Sequence, residues 1–151
     1  MTDCTRGRVD QPLNIKEYGS AALHLKLPKK AKPTGRTVAV IGGGPGGLSA
    51  AWQLGLKGHS VDLYEAGKKI GGKIEMCIPR ERLPKKILDA ELARFAEVGV
   101  KVNLNTTVDR KLFDRIYQDH DLVVIAVGAH EARIIPFPGA EHVAAGIDCL
   151  K

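Results

Sequence analysis

Aromatic residues are scarce, at 5% of the 151-residue chain, and no basic helix interleaved with aromatics occurs. Lysine and arginine give a net charge of +6 and gather in PKKAKPTGR, GKKIGGK and PRERLPKK. Without stacking rings these clusters read as a solvated basic face, able to attract nucleotide phosphates or an acidic protein, and nucleic-acid binding is not expected. Cysteine is limited to Cys4, Cys77 and Cys149. An odd number at wide spacing excludes a disulfide framework, and the lack of any C-x-x-C pair excludes a zinc site of that type. No metal site is expected, and three free thiols suit a reducing compartment. The N-terminal MTDCTRGRVD has no apolar segment of the kind a secretory signal needs. The longest apolar run, Leu122 to Val127, is too short to span a bilayer. A soluble, cytoplasmic protein without a membrane span is the expectation. Five histidines and scattered serines show no nucleophile elbow, and no side chain reads as a catalytic acid, base or nucleophile.

The remaining composition, 44% hydrophobic and 26% charged, fits one globular domain with a real core. Residues 1–36 are polar, basic and proline-punctuated, and PLNIKEYGSAALHL is their only helix-like piece. They read as an irregular N-terminal arm. From Thr37 the pattern tightens. TVAVI is a β-branched run that stops at glycine, as a buried parallel strand does. PGGLSAAWQLGLKG follows with Pro45 in the first turn, apolar residues at Leu48, Ala51, Trp52 and Leu56, and Gly58 as a stop. SVDLYE is the next strand, and the three elements make a right-handed βαβ unit. LPKKILDAELARFAEVG reads as a helix from Pro84 to a glycine cap at Gly99. VKVNL is a third strand, VDRKLFDRIYQ a short helix, and DLVVIAVG a fourth strand. The tail after Ala129 has turn chemistry and no long periodic element. The fold class is α/β: a parallel sheet of about four strands with helices on its faces, over residues 37–151.

Glycine is concentrated between Gly42 and Gly72. The run Gly42-Gly43-Gly44-Pro45-Gly46-Gly47 is a G-x-G-x-x-G placed directly after a strand and opening a helix, the Rossmann-like arrangement for a dinucleotide. In that context Gly42 permits the turn off the strand and Gly44 lets a pyrophosphate approach the backbone. Gly47 lets the helix lie close to the sheet, and the helix N-terminus faces the anion. Glu65 ends the second strand 18 residues after Gly47. A carboxylate there accepts from both hydroxyls of an adenosine ribose and repels a 2′-phosphate, which favours FAD or NAD over NADP.

VAVIGGGPGGLSAA, VDLYEAG, IGG, IPRERLPKKIL, EVGVKVNLNTTV, DLVVIAVGA and RIIPFPGAE together resemble the FAD-binding half of the glutamate synthase small-subunit family. That family also supplies the flavin domain of dihydropyrimidine dehydrogenase. The resemblance runs from about Cys4 to Lys151, and I-P-x-x-R-L-P, here Ile78 to Pro84, is its most distinctive piece. It implies that Gly42, Gly44, Pro45 and Gly46 cradle the pyrophosphate of FAD and that Glu65 binds the ribose. It further implies that Gly72 lines the flavin loop, Val108 meets adenine through its backbone, and Gly128 packs beside the cofactor. Glu75, Met76 and Cys77 depart from the family, which often has arginine or another residue and then glycine before I-P. CTRGRVDQPLNI resembles the end of an iron–sulfur module, with Cys4 as its last cysteine; a cluster would need further ligands upstream of Met1. The second G-x-G-x-x-G of an NAD(P)H domain is missing. The resemblance therefore implies an incomplete FAD-binding domain of an NAD(P)H oxidoreductase. Its partners would be an iron–sulfur module or an electron-transfer subunit.

Other assignments remain open at this point. Disulfide reductases of the glutathione reductase type carry a C-x-x-x-x-C after the second glycine pair, and here Cys77 has no such partner. It reads instead as a buried small hydrophobe. His130 reads as a loop histidine near the site. A non-catalytic NAD- or ADP-ribose-binding module, or a docking piece built on the basic arm, would also fit the residues.

Overall fold

The structure is a computed structural model that describes residues 4–14, 24–131 and 135–150. The helix expected over PLNIKEYGSAALHL falls mostly outside the described residues. Four strands alternate with helices: β1 (Thr37–Ile41), α1 (Pro45–Leu56), β2 (Ser60–Tyr64), α2 (Lys73–Cys77), α3 (Lys85–Glu97), β3 (Val100–Asn103), α4 (Arg110–Asp119), β4 (Leu122–Ile125) and α5 (Gly146–Leu150). Short 3-10 turns occupy Thr5–Arg8 and Ala140–His142. All pairings are parallel, in the order β3-β2-β1-β4. Central β1 aligns Val40 with Leu63 on one side and with Val124 on the other.

Alternation along the strands separates two faces. Val38 and Val40 of β1 join Val61 and Leu63 of β2, Leu48 and Ala51 of α1, and Val98 and Val100 in one buried cluster. Trp52 of α1 meets Phe95 of α3 edge-on at 5.4 Å between ring centroids, and the Arg94 guanidinium lies 5.9 Å above the Trp52 ring. Asp62 and Tyr64 point to the opposite face. There the end of α4 reaches them: His120 Nε2 is 3.3 Å from Asp62 Oδ2, and its ring stands edge-on to Tyr64.

Local chemistry sets the element ends. Pro45 occupies the first turn of α1, where its missing N–H costs nothing. Asp109 caps α4 by accepting the Leu112 N–H at 2.7 Å. Gly99 takes φ +81 just past α3, the left-handed turn-off that only glycine adopts freely.

The unbroken apolar run LVVI forms β4 as expected, but as an edge strand, with Leu122 51% and Ile125 64% exposed. The end of the arm packs on the domain. Ala31 N–H donates to Leu56 O at 2.8 Å and Thr34 N–H to Gly58 O at 3.0 Å. The Lys30 ammonium donates to Val98 O at 2.7 Å. Residues 30–34 thus satisfy carbonyls at the C-terminal ends of α1 and α3. Next to them, Asp121 accepts from the Thr37 N–H at 2.8 Å and from Arg36 at 2.7 Å, fastening the start of β1 to the start of β4.

Candidate dinucleotide cleft

The loops leaving the C-terminal ends of the strands surround a cleft of about 510 Å³. It opens where the chain order reverses between β1 and β4, the position at which open α/β sheets bind ligands. Gly42 and Gly44 form one wall, Glu65 to Lys69 a second, Thr106 to Val108 a third, and Ala126, Val127 and His130 a fourth.

Glycine has different causes at different positions of the first cluster. At Gly42, φ is +105, and a Cβ would lie 2.4 Å from the Ala126 carbonyl oxygen. At Gly47 a Cβ would lie 1.8 Å from the Gly42 carbonyl oxygen. The helix start therefore rests on the turn that feeds it, which is tighter than helix-on-sheet packing alone requires. Gly44 is otherwise. Its backbone is extended, φ −79 and ψ −177, and the nearest atom to a Cβ there is the Gly72 Cα at 4.0 Å. The fold leaves room for a side chain at Gly44, and that room faces the cleft. Gly44 also caps α1 without a side-chain hydrogen bond, so the positive end of the helix remains available to an anion.

The second glycine pair answers first to the chain itself. Gly71 N–H donates to Gly43 O at 2.7 Å, and a Cβ on Gly72 (φ +53) would stand 2.7 Å from the Gly44 Cα. The loop after β2 is laid across the glycine turn, and its collision partner is that turn's backbone.

Glu65 lies at the cleft with both carboxylate oxygens engaged. Oε2 accepts the Gly43 N–H at 2.7 Å and Oε1 the Gly67 N–H at 2.7 Å. A carboxylate offers about four acceptor positions, so each oxygen keeps one for a further donor. Val108 also lines the cleft, and its backbone N–H and C=O have no hydrogen-bond partner among the described residues. Such a peptide group suits the edge of a base. Gly128 (φ +73) turns the chain after β4; its neighbours Ala126, Val127 and His130 supply the wall. Pro45 and Gly46 are exposed at the head of α1.

Two wall residues, Thr106 and Thr107, carry no separate role in the sequence reading. They are brought in by the Thr106 N–H bond to Glu65 O at 2.9 Å, which no local pattern reveals. Lys68 and Lys69, from the GKKIGGK cluster, bring their positive charge to the cleft. Glu75, on the rim, meets Arg80 at 2.8 Å and Lys69 at 3.5 Å. Burial pushes the Glu75 carboxyl up, but the Arg80 and Lys69 cations outweigh it and hold the group below its ordinary value. Cys77 is half-buried rather than buried, because α2 is a single short turn on the rim. His130 does line the cleft, with Nε2 2.7 Å from Val127 O. At the start of the Thr5–Arg8 turn, the backbone amides of Leu13, Arg6 and Gly7 hold the Cys4 thiol below its ordinary value. Among the described residues no group of three or more histidine, cysteine or acidic side chains is placed to hold a metal ion.

Parallel sheet, glycine turn, helix N-terminus and strand-end carboxylate define a Rossmann-like dinucleotide-binding fold. The chain belongs to the pyridine nucleotide-disulphide oxidoreductase family, which matches residues 36–151. It is 35% identical to the glutamate synthase [NADPH] small chain of Mycobacterium tuberculosis (strain CDC 1551 / Oshkosh), over 91% of this chain and 30% of that protein. It is 31% identical to the NAD-dependent dihydropyrimidine dehydrogenase subunit PreT homolog of Salmonella typhi, over 98% of this chain and 38% of that protein. Histamine dehydrogenase from Rhizobium sp. 4-9 superposes with a TM-score of 0.54 at 29% identity, over 71% of this chain and 17% of that one. The resemblance drawn from the motifs is thus borne out, and the chain spans well under half the length of these relatives.

Proposed function

We propose that this chain is the FAD-binding part of an NAD(P)H-dependent oxidoreductase and that the cleft receives the ADP portion of FAD. The observation that carries the reading is the room left at Gly44, beside the head of α1 and next to the Glu65 carboxylate. On this reading Gly42, Gly44, Pro45 and Gly46 hold the pyrophosphate, with the α1 N-terminus and Lys68 or Lys69 balancing its charge. Glu65 takes the ribose hydroxyls on its spare acceptor positions, Val108 meets adenine through its free peptide groups, and Gly72 and Gly128 border the remainder. The residues present fit the group: open backbone, unpaired amides and an acceptor-rich acid converge on one cleft. FAD, when bound, would supply two-electron chemistry with NAD(P)H and one-electron transfer onward. The chain's own contribution is to bind, orient and shield; no side chain is assigned a catalytic role.

Residues 37–151 are then an incomplete FAD-binding domain and residues 1–36 its arm, with the contacts of residues 30–34 making the arm's end part of the folded unit. The names of the relatives, a small chain and a subunit, support a second subunit as partner of the whole protein; we propose that this partner is an iron–sulfur module or another electron-transfer subunit. Titration of the purified chain with FAD, ADP and NAD, followed by calorimetry and flavin absorbance, tests the reading. FAD and ADP binding with similar affinity supports it. NAD binding tightest would instead favour a non-catalytic nucleotide module.

A further inference from the structure

Glu65 is joined to three of the cleft's four loops, those after β1, β2 and β3, which form its adenosine end on the reading above. Its Oε2 accepts the Gly43 N–H from the loop after β1, at 2.7 Å. Its Oε1 accepts the Gly67 N–H from the loop after β2, also at 2.7 Å. Its own N–H donates to Asn103 O at 2.9 Å, and its carbonyl accepts the Thr106 N–H at 2.9 Å. Asn105 N–H to Gly67 O, at 3.0 Å, links the second and third loops directly. Gly43 is shaped for this join. A Cβ there would stand 2.9 Å from Glu65 Oε2 and 2.8 Å from Ile70 Cγ2, so a larger residue would push the carboxylate out of its present place.

We propose that Glu65 is a positioning residue that assembles the adenosine end of the cleft before ligand arrives, in addition to receiving the ribose. The assembly follows from contacts within the chain; only the ribose half rests on the dinucleotide reading above. A carboxylate is the side chain this task requires. Two amide donors from two loops need two acceptor oxygens, and further acceptor positions must remain for a diol. Glutamine supplies one oxygen, and its amide nitrogen would face a backbone N–H, donor against donor, leaving that group unsatisfied. Loops already fastened to one another need not be ordered on binding, which removes part of the entropic cost of association. The acid therefore supports affinity even for a ligand that never touches it.

That consequence separates positioning from simple ribose contact. Wild type, Glu65→Gln and Gly43→Ala would be titrated with ADP and with 2′,3′-dideoxy-ADP, which lacks the hydroxyls. Amide hydrogen exchange at Gly43 and Gly67 would be followed without nucleotide. Glu65→Gln is expected to weaken dideoxy-ADP at least tenfold and ADP further still. Exchange at Gly43 and Gly67 should quicken at least tenfold, while Val61 and Leu63 in the sheet keep their protection. Gly43→Ala should act the same way with the carboxylate intact. If Glu65→Gln weakens ADP but leaves dideoxy-ADP and the exchange rates unchanged, Glu65 is a ribose ligand only and the proposal falls. If neither nucleotide binds wild type, the dinucleotide reading fails, and exchange in the variants still decides the positioning role. Should both variants fail to fold, wild type alone decides. Gly43 and Gly67 amides slowed well below the free-peptide rate support the join, and exchange at that rate overturns it.

Discussion

Replacing Gly44 or Gly47 by alanine separates the glycine kept for a ligand from the glycine kept for the chain. At Gly47 the new methyl carbon would sit 1.8 Å from the Gly42 carbonyl oxygen. The relief has to come from backbone, since neither atom ends a flexible side chain. Overpacking of a well-filled site costs about 1–3 kcal/mol, and a backbone displacement of well over an ångström belongs at or beyond the upper end. A loss of about 3 kcal/mol lowers the melting temperature of a domain this size by roughly 10 °C or more. At Gly44 the same methyl carbon meets only the Gly72 Cα, at 4.0 Å, in a backbone conformation alanine adopts without strain. Alanine is a poorer helix cap than glycine, by up to about 1 kcal/mol. Restricting the unfolded chain returns about 0.4–1 kcal/mol. The two nearly cancel, so Gly44→Ala should melt within a few degrees of wild type. The methyl group then occupies the room proposed for the pyrophosphate, and ADP affinity should fall at least tenfold, about 1.4 kcal/mol. Thermal melts and calorimetric ADP titrations read both quantities. Gly44→Ala binding ADP as wild type does, or Gly47→Ala melting as wild type does, would refute the division of roles.

Three further outcomes follow from the fold. Leu63→Ala, at a fully buried position of β2, should lose roughly 3 kcal/mol in denaturant unfolding, as large-to-small core changes do. Lys30→Met keeps the aliphatic stem but removes the ammonium bonded to Val98 O; it should cost about 1 kcal/mol through the uncapped end of α3, and an unchanged unfolding midpoint would show that the arm is not fastened there. The Asp121 carboxyl is held down to about 2, against an ordinary 3.8, by the Thr37 N–H first, then by Arg36 and the Thr37 hydroxyl. Its contribution is complete above about pH 4 and lost as pH falls towards 2; Asp121→Asn should therefore melt below wild type at neutral pH, with the gap closing on acidification.

The β1–α1–β2 unit was readable in the sequence because its signals are local. β-branched runs, helical apolar spacing and glycine punctuation each act over a few residues, and they set both the element types and the site of the turn. α3 was readable for the same reason, from Pro84 at one end and Gly99 at the other. What escaped depends on contacts between distant residues. The Glu65–Gly43 bond spans 22 positions and the Lys30–Val98 bond 68, and neither partner carries a local mark. The spacing of Glu65 from the glycine turn pointed to ribose, yet gave no hint that the same carboxylate gathers the loops. Gly72, which the resemblance gives to the flavin loop, lines the cleft and also lies against the Gly44 backbone, a long-range approach no local pattern reveals. The exposure of β4 was hidden because an apolar run looks the same at the edge of a sheet as at its centre.

Amide chemical-shift mapping of the whole chain during addition of ADP tests the central claim most directly. The account predicts saturable shifts confined to the cleft, at Gly44, Gly46, Gly67 and Val108, with little change in α3 and α4. Shifts absent from those amides, or concentrated at the basic arm instead, would contradict it.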